Sequence, residues 1–251
     1  MGVGSADAVI EVGPGLGDLT TALASQARRV LALEIDHGLV RALADAGLPG
    51  NVEIRQGDAL DADWASLADE VGAPVVLVGN LPYRVAGRLI ALLLLGDWAQ
   101  SFRRMGFMVQ TEVAERLVAS PATAGYASLA VWARLFSSPR RALELGPDAF
   151  VPRPKVHSTF VLLDPPDAPP PLPDRALLER VVTLAFRFRR KTLRRALDSL
   201  TDSHTLVAAL AAAAIDGRRR GETLSELEFV GLTRELEVRA VRVAPEAPDL
   251  G

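Results

Sequence analysis

Four short apolar segments near the start of the chain each end in a glycine or a polar residue. They are residues 8–12, before Gly13-Pro14-Gly15-Leu16-Gly17; residues 29–34, which end in Glu34; residues 52–55, before Gly57-Asp58-Ala59; and residues 74–78, before Gly79-Asn80. Helical stretches separate these segments, and such alternation predicts parallel β-strands joined by helices. Open α/β sheets bind ligands at the carboxyl ends of their strands. The four segments therefore predict an α/β fold with a ligand site at one edge of the sheet.

The turn after the first segment departs from the usual dinucleotide-binding fingerprint. Its glycines follow the spacing G-x-G-x-G rather than G-x-G-x-x-G, and the acidic residues Glu11 and Asp18 flank it. This negative charge would repel a pyrophosphate, whereas it suits a cationic ligand such as S-adenosylmethionine. Glu34 stands roughly where an acidic residue holds ribose hydroxyls in such folds. Taken singly, each residue is more typical of a turn or a helix N-terminus. Their coincidence at four strand ends favours a binding site.

The tetrapeptide Asn80-Leu81-Pro82-Tyr83 indicates chemistry on the exocyclic amine of a nucleobase. A buried strand that stops at Asn80, with Pro82 two residues later, leaves the Asn side chain and the next carbonyls unpaired at the sheet edge. These acceptors complement an amino group, and the Tyr83 ring offers a flat surface for an unstacked base. By itself, the tetrapeptide is equally typical of a turn that ends a strand.

A proline-rich segment, residues 165–173, predicts a domain boundary because it is stiff and continues neither a helix nor a sheet. Before it we predict helices over 18–28, 85–95 and 111–119, and strands over 106–109, 129–136 and 158–163. After it we predict helices over 177–186, 184–200, 205–215 and 225–235, the last with a capping box formed by Ser225 and Glu228. The pattern predicts an open, mostly parallel sheet followed by a smaller helical domain.

The basic residues are concentrated locally, although the formal net charge is −3. Between residues 175 and 195 lie eight basic residues and one acidic residue, with Phe186 and Phe188 interleaved. A helix over 184–200 would place four of these cations on one face, where RNA phosphates could lie. These four are Arg187, Lys191, Arg194 and Arg195. A solvated charged face is the commoner outcome for such runs, but the only two lysines, Lys155 and Lys191, both lie in late motifs, which hints at a specific need for an ammonium group.

Six motifs occur in an order and spacing that carry a family resemblance. They are residues 11–17, 57–59, 79–83, 107–113, 150–156 and 189–193. The first is common among methyltransferases, whereas Asn-Leu-Pro-Tyr, Phe-x-Pro-x-Pro-Lys-Val and Arg-Arg-Lys-Thr-Leu together are specific. From Val9 to about Leu236, the chain resembles the ribosomal RNA adenine N6-dimethyltransferases, most closely those of the small subunit (16S).

The resemblance implies roles for individual residues. Residues matching Gly13, Glu34, Asp58 and Asn80 contact S-adenosylmethionine in the family, with Glu34 on the ribose hydroxyls and Asp58 on the adenine amino group. Gly15 and Ala59 are assigned to the same cofactor site. The implied catalytic residues are Asn80, Leu81, Pro82 and Tyr83; the Asn80 side chain and the Leu81 or Pro82 carbonyl would accept the two amino hydrogens. Tyr83 and Phe150 would hold the extruded adenine by stacking.

The implied function is S-adenosylmethionine-dependent N6-dimethylation of adjacent adenines in 16S ribosomal RNA during ribosome assembly. The implied fold is Rossmann-like, with a seven-stranded, mostly parallel sheet and a small C-terminal helical domain. We accordingly predict a catalytic domain over 1–164, a linker over 165–173 and a helical RNA-contacting domain over 174–251. The expected partners are ribosomal RNA and the small ribosomal subunit. The predicted RNA-binding residues are Lys155, Arg187, Arg190, Lys191 and Arg194.

Composition argues against several other classes of protein: disulfide-bonded, metal-binding, membrane-spanning and secreted. The chain has no cysteine, so disulfides and thiolate metal sites are excluded. The three histidines, His37, His157 and His204, lack ligand spacing, so no metal is expected. No apolar run approaches the roughly 20 residues needed to span a bilayer, and the first residues do not resemble a signal peptide. We therefore expect a cytoplasmic monomer without a membrane partner.

Two alternatives stay open. One is the large-subunit (23S) adenine methyltransferase of the macrolide-resistance type, which shares the fold and most motifs. The other is a noncatalytic RNA-binding assembly factor, because the chain departs from the family pattern in several places. Arg84-Val85-Ala86-Gly87 stands where Asn, Ser and Thr are usual, residues 126–129 replace a usual Gly-Arg, and His157 replaces an Asp. Glu34, Asp58 and Asn80 are intact, which favours an enzyme.

One further expectation concerns the N-terminus. Relatives carry a segment with a Gln-x-Phe-Leu motif ahead of the first strand, which closes over the cofactor. This chain begins seven residues before Ala8, so we expect the lid segment to be missing. A site that fails to exclude water loses electrostatic strength, and weak S-adenosylmethionine binding with slow turnover is the expected result.

Overall fold

The computed structural model describes residues 2–96, 101–150, 153–166 and 170–243. The chain divides into two compact units, Met1–Ala114 with Phe136–Asp167, and Glu115–Leu135 with Ala168–Gly251. The second unit includes residues 115–135, which the sequence-based division had assigned to the catalytic domain. That division, as a statement about function, stays a prediction.

The first unit contains a seven-stranded sheet, which confirms the predicted architecture. Its strands are β1 (Ala8–Val12), β2 (Arg29–Glu34), β3 (Val52–Gln56), β4 (Val75–Asn80), β5 (Phe102–Gln110), β6 (Ser138–Leu145) and β7 (Ser158–Asp164). The strand order is β3-β2-β1-β4-β5-β7-β6. Strands β1 to β5 are parallel, whereas β7 is antiparallel to β5 and β6. The apolar side chains of β1 and β4 are buried, as expected for central strands of a parallel sheet.

Helices connect the parallel strands, because two parallel neighbours cannot be joined by a tight turn. These helices are α1 (Asp18–Ala24), α2 (His37–Asp45), α3 (Trp64–Val71) and α4 (Ala86–Leu95). The Asp36 carboxylate caps α2 by accepting from the N–H groups of Gly38 and Leu39, and Asp63 caps α3 by accepting from Ser66. Helix α1 ends at Ala24, four residues before the predicted end.

The close approach of β1 and β4 fixes the centre of the sheet. Val12 pairs with Leu33 on one side and with Gly79 on the other. A side chain at Gly79 would bring its Cβ atom to 2.7 Å from the Val12 carbonyl oxygen, so only glycine fits there. The ends of β1, β2 and β4 therefore lie at one edge of the sheet.

The remaining helices are α5 (Thr111–Val118), α6 (Ser128–Phe136), α7 (Arg175–Arg187), α8 (Leu193–Ala196), α9 (Ser203–Ala212) and α10 (Glu226–Val238). Within the second unit, the fully buried Tyr126 donates its hydroxyl hydrogen to the Leu224 carbonyl at 2.8 Å. Its ring lies 5.7 Å from that of Phe186, which in turn lies 5.9 Å from Phe229. These rings form part of the core of this unit. The predicted capping box of Ser225 and Glu228 is confirmed at the start of α10.

The strand predicted over 129–136 is wrong, because these residues form α6. Every residue from 129 to 136 except Arg134 is buried. A continuous apolar run of this length lacks the periodicity that separates a buried strand from a buried helix. The strand in this part of the chain is β6, whose residues are mostly exposed at the sheet edge and carry charges.

The helix predicted over 184–200 is also wrong. Helix α7 ends at Arg187, Phe188 leaves the helical conformation with φ −111° and ψ 48°, and only Leu193–Ala196 are helical again. The Leu193 N–H donates to the Arg219 carbonyl at 2.8 Å, so a tertiary hydrogen bond replaces a helical one. The cations expected on one helical face are therefore distributed over a helix end, a turn and a short helix.

Neither a membrane-spanning helix nor a metal-binding cluster occurs among the described residues. No helix there is long and apolar enough to cross a bilayer. No group of three or more His, Cys, Asp or Glu side chains in the same part of the chain is placed to hold a metal ion.

Candidate functional site

The carboxyl ends of β1 to β4 bring together residues that the sequence predicted as one site. The Gly13 N–H donates to the Leu33 carbonyl at 3.0 Å, and the Gly57 N–H donates to the Glu34 carbonyl at 2.9 Å. A Cβ atom built on Gly13 would lie 3.7 Å from the Asn80 carbonyl oxygen. Gly13, Glu34, Gly57 and Asn80 therefore occupy one edge of the sheet; we call this group, with its flanking residues, the strand-end site.

The glycine loop after β1 is held in place by a buried carboxylate. Gly13, Gly15 and Gly17 have positive φ angles of 67°, 59° and 91°, a region that favours glycine. The Glu34 carboxylate, only 6% exposed, accepts from the Gly15 N–H at 3.4 Å and from the Asp36 N–H at 3.0 Å. Each carboxylate oxygen retains a further lone pair, so Glu34 can also accept from ligand hydroxyls.

Glu11 supplies a second buried carboxyl group just before the same loop. Its residue is 1% exposed, and its Oε2 atom has no hydrogen-bond partner among the described residues. Burial raises the pKa of Glu11 to about 7, against a smaller opposing effect of the Thr20 side chain. A buried carboxyl group without a partner is costly, and a cationic ligand would compensate it. The Glu11 and Glu34 carboxyl groups thus fit S-adenosylmethionine, which carries positive charge and ribose hydroxyls.

Asp58 and Ala59 lie just after β3, and both are half-buried. The Asp58 Oδ1 atom accepts from the Leu60 N–H at 2.8 Å, which fixes the side chain within its turn. A carboxylate has four lone-pair positions, so this bond leaves acceptor capacity for the amino group of a ligand.

The Asn80–Tyr83 segment has one exposed amide and one carbonyl group without a hydrogen-bond partner among the described residues. Asn80 is exposed, whereas Leu81 is buried and donates its N–H to the Met108 carbonyl at 3.1 Å. The Pro82 carbonyl already accepts from the N–H groups of Val85 and Ala86, both at 3.1 Å. Since a carbonyl oxygen has two lone pairs, the two acceptors left for an amino group are the Asn80 side chain and the Leu81 carbonyl. Of the two carbonyl groups expected as the second acceptor, that of Leu81 is therefore the better candidate.

Tyr83 offers a partly exposed ring that is tethered at its hydroxyl. The residue is 37% exposed, and its Oη atom lies 3.3 Å from Oγ of Ser158, which is 1% exposed at the start of β7. Sequence reasoning missed Ser158, because a single serine before an apolar strand gives no signal of its own. The tether restricts the ring at one end, while more than a third of the residue stays exposed to a ligand.

Phe150 is half-buried after a 3-10 turn over Pro147–Ala149. Among the described residues its ring makes no contact with that of Tyr83. Two rings that stack on opposite faces of one base do not touch each other, so the stacking assignment of both residues stays a prediction. Part of its motif, residues 151 and 152, lies outside the described residues. Lys155 is exposed and belongs to the first unit, whereas the other four predicted RNA-binding residues belong to the second.

Residues 187–195, here called the cationic segment, expose most of their charge. Lys191 places its Nζ atom 4.3 Å from the centroid of the Phe188 ring, and the guanidinium carbon of Arg187 lies 5.8 Å from it. Arg189 pairs with Glu222 at 3.2 Å. The other cations of the segment form no ion pair with any described residue; they are Arg187, Arg190, Lys191, Arg194 and Arg195.

Comparison with known families and proteins gives consistent matches over most of the chain. The model of the family described as "Ribosomal RNA adenine dimethylase" matches residues 3–236. A protein named "Ribosomal RNA small subunit methyltransferase A" from Mesorhizobium japonicum is 44% identical over 236 residues, which cover 91% of this chain and 83% of that protein. A protein of the same name from Dinoroseobacter shibae is 43% identical over 232 residues, covering 91% and 81%.

Two solved structures share the fold. A dimethyladenosine transferase from Plasmodium falciparum has a TM-score of 0.75 at 22% identity and covers 95% of this chain and 93% of its own. The 23S rRNA methyltransferase ErmE has a TM-score of 0.66 at 24% identity, covering 94% and 93%. At such identities the likeness concerns the architecture alone.

Proposed function

The chain belongs to the ribosomal RNA adenine dimethylase family, and we propose that it transfers methyl groups from S-adenosylmethionine to N6 of two adjacent adenines in 16S ribosomal RNA. The names of its relatives, small subunit methyltransferase A, support the small-subunit substrate. The observation that carries the proposal is the pair of free acceptors, the Asn80 side chain and the Leu81 carbonyl, beside the tethered ring of Tyr83.

The two acceptors account for activation of a poor nucleophile. The lone pair of adenine N6 is delocalised into the ring, so the amine must be turned towards tetrahedral geometry before it can react. The Asn80 Oδ1 atom and the Leu81 oxygen accept the two amino hydrogens, and they also stabilise positive charge that develops on the nitrogen. Tyr83 stacks on the extruded base and holds the amine in line with the methyl group to be transferred. No strong general base is needed, because the methylated aminium group is acidic and loses its proton to water.

S-adenosylmethionine, when bound, supplies an electrophilic methyl group on a sulfonium centre. Glu34 accepts hydrogen bonds from the ribose hydroxyls, and Asp58 accepts one from the adenine amino group of the cofactor. Glu11, ionised, compensates positive charge of the cofactor behind the glycine loop formed by Gly13 and Gly15. These carboxylates bind and orient the cofactor, and they take no part in proton transfer.

The cationic segment and Lys155 serve as the RNA-binding residues in this proposal. The cations that have no acidic partner in the described part of the chain favour phosphate contacts that do not depend on sequence. The substrate is the small ribosomal subunit during assembly, in the cytoplasm. No observation favours the large-subunit or the noncatalytic alternative over this one.

The decisive experiment measures transfer of a radioactive methyl group from S-adenosylmethionine to undermethylated ribosomal subunits. We expect label in the small subunit, on N6 of adenine, and none in the large subunit. Calorimetry with S-adenosylmethionine alone separates an enzyme from a noncatalytic factor. Label in the large subunit, or cofactor binding without transfer to either subunit, would refute the proposal.

A further inference from the structure

Arg84 and Arg88 lie next to the Asn80–Tyr83 segment. Arg84 follows Tyr83 in the turn before α4, and Arg88 lies four residues further, in the first turn of that helix. The Ala86 N–H donates to the Pro82 carbonyl at 3.1 Å, and the Leu89 N–H donates to the Val85 carbonyl at 2.8 Å, so successive four-residue turns contain Arg84 and Arg88. Arg84 is the chain neighbour of Tyr83, and Arg88 follows about one helical turn later.

Both arginines are exposed, and neither forms an ion pair or a hydrogen bond with another described residue. Several other arginines of the first unit do form ion pairs. Arg29 pairs with Glu53 at 2.7 Å, and Arg103 pairs with Asp7 at 2.8 Å. Arg84 and Arg88 thus keep their charge available to an anion.

Helix stability does not account for these two cations. Positive side chains are unfavourable near the N-terminus of a helix, where the macrodipole is positive, and both arginines stand at that end of α4. The N-cap residue is Val85, which provides no side-chain hydrogen bond, and a Ser, Thr, Asp or Asn at that position would stabilise the helix. The local sequence therefore does not favour the start of the helix, and the two charges call for another explanation.

We propose that Arg84 and Arg88 bind phosphates of the RNA strand that carries the target adenine. This inference rests on the proposed function and adds a contact outside the Asn80–Tyr83 machinery. A base stacked on Tyr83 brings its own backbone close to Arg84, since consecutive Cα atoms are about 3.8 Å apart. The planar guanidinium group matches phosphate oxygens in a bidentate manner. The two arginines orient the strand at the extruded nucleotide, while the cationic segment contacts RNA from the second unit.

The test compares the wild type with Arg84→Ala, Arg88→Ala and the double variant in binding to the unmodified small subunit over a range of salt concentrations. Each contact to a single strand contributes about 0.7 to the slope of log affinity against log salt. We expect the double variant to lose about 1.4 of this slope, and about fivefold in affinity per residue near 0.1 M salt. The affinity for S-adenosylmethionine, measured by calorimetry, should stay unchanged.

The matched control is Arg41→Ala, which removes an exposed arginine from α2, on the crossover between β2 and β3. It should leave the slope unchanged, and Arg84→Lys should restore most of it. A single-stranded oligoribonucleotide with two adjacent adenines provides a second arm. A wild-type slope in the double variant on both RNAs would overturn the inference. A reduced slope on the subunit alone would also overturn it, because it would indicate an acidic protein as the partner.

The same series distinguishes the inference from the proposed function. Methyl transfer to the small subunit by the wild type tests the function independently of both arginines. If the wild type methylates the subunit and the slopes do not change, only the arginine contact is wrong. If it does not, the oligoribonucleotide arm still decides whether Arg84 and Arg88 bind phosphates.

Discussion

The strand-end site of the first unit and the cationic segment of the second use charge in opposite ways. The strand-end site removes the Glu11 and Glu34 carboxyl groups from water and fixes Glu34 with backbone N–H groups. The cationic segment leaves residues such as Arg190 and Lys191 exposed and without acidic partners among the described residues. Electrostatic interactions are strong in a buried, preorganised site and are screened by salt at the surface. Catalysis should therefore depend on a few residues, and RNA affinity on many small contributions.

The largest effect is expected at Asn80. Replacing it with alanine removes one of the two acceptors for the target amine. Loss of one preorganised polar group of this kind typically costs about 10²–10³ in kcat. Methyl transfer under single-turnover conditions measures the effect. Gln26→Ala, which removes an exposed amide elsewhere in the first unit, should have normal activity; equal losses in the two variants would contradict the role of Asn80.

Tyr83 and Glu34 should separate chemistry from cofactor binding. Tyr83→Ala should lower turnover, because the activation free energy rises by about 1–3 kcal/mol, the range for a lost base-stacking contact. Cofactor affinity should change little. Glu34→Ala should first raise the Kd for S-adenosylmethionine, by about 10-fold or more, because hydrogen bonds to a buried carboxylate are lost. Calorimetry and methyl transfer on the same variants give both numbers.

Tyr83→Phe is the control for the tether to Ser158. It keeps the ring and removes the 3.3 Å hydroxyl contact, so its turnover should lie much closer to the wild type than that of Tyr83→Ala. If Tyr83→Ala weakens cofactor binding and turnover equally, the residue belongs to the cofactor site instead.

Glu11 should make cofactor affinity depend on pH near neutrality. Folding raises its pKa from 4.5 to about 7 by burial, and a cationic ligand binds the ionised form. Affinity should therefore rise about tenfold between pH 6 and pH 8, as the ionised fraction rises. Stability changes in the opposite sense. The neutral carboxyl group favours the folded state, and this contribution is full below pH 4.5 and lost as pH rises through about 7.

The Glu11→Gln variant tests both directions. Calorimetric titrations should show a weaker and pH-independent affinity for S-adenosylmethionine. Urea unfolding should show a gain in the free energy of unfolding at pH 8 and a smaller difference at pH 5. A variant that keeps the wild-type pH dependence of binding would remove Glu11 from the cofactor site.

The two regions also differ in how far the sequence could predict them. The strand-end site can be predicted from local pattern, since a glycine or polar residue marks the end of each apolar strand: Gly13, Glu34, Gly57 and Asn80. Parallel strands then bring those ends to one edge of the sheet. The cationic segment depends on tertiary hydrogen bonds, such as that from Leu193 to Arg219. The periodicity of apolar residues contains no information about such a bond, so the prediction of one helix over 184–200 is wrong.

Other details of the strand-end site were equally beyond local pattern. The tether between Tyr83 and Ser158 joins residues 75 positions apart. The engagement of the Pro82 carbonyl, which leaves Leu81 as the acceptor, depends on the start of α4. The length of the apolar run over 129–136 suits a buried strand and a buried helix alike, and packing alone decides between them.

The smallest effect per residue is expected in the cationic segment. Replacing Arg190, Lys191 and Arg194 with alanine should weaken binding to the small subunit and reduce the slope of log affinity against log salt by about 2, or 0.7 for each lost contact. Arg189→Ala is the matched control, because its charge is already paired with Glu222 at 3.2 Å, and it should change the slope less than Arg190→Ala does. The turnover of RNA-saturated enzyme should be unaffected in every case, since phosphate contacts of this kind contribute to RNA affinity and not to methyl transfer. An unchanged slope in the triple variant would mean that the segment is merely solvated, and a fall in saturated turnover would mean that the two regions do not divide chemistry from RNA affinity.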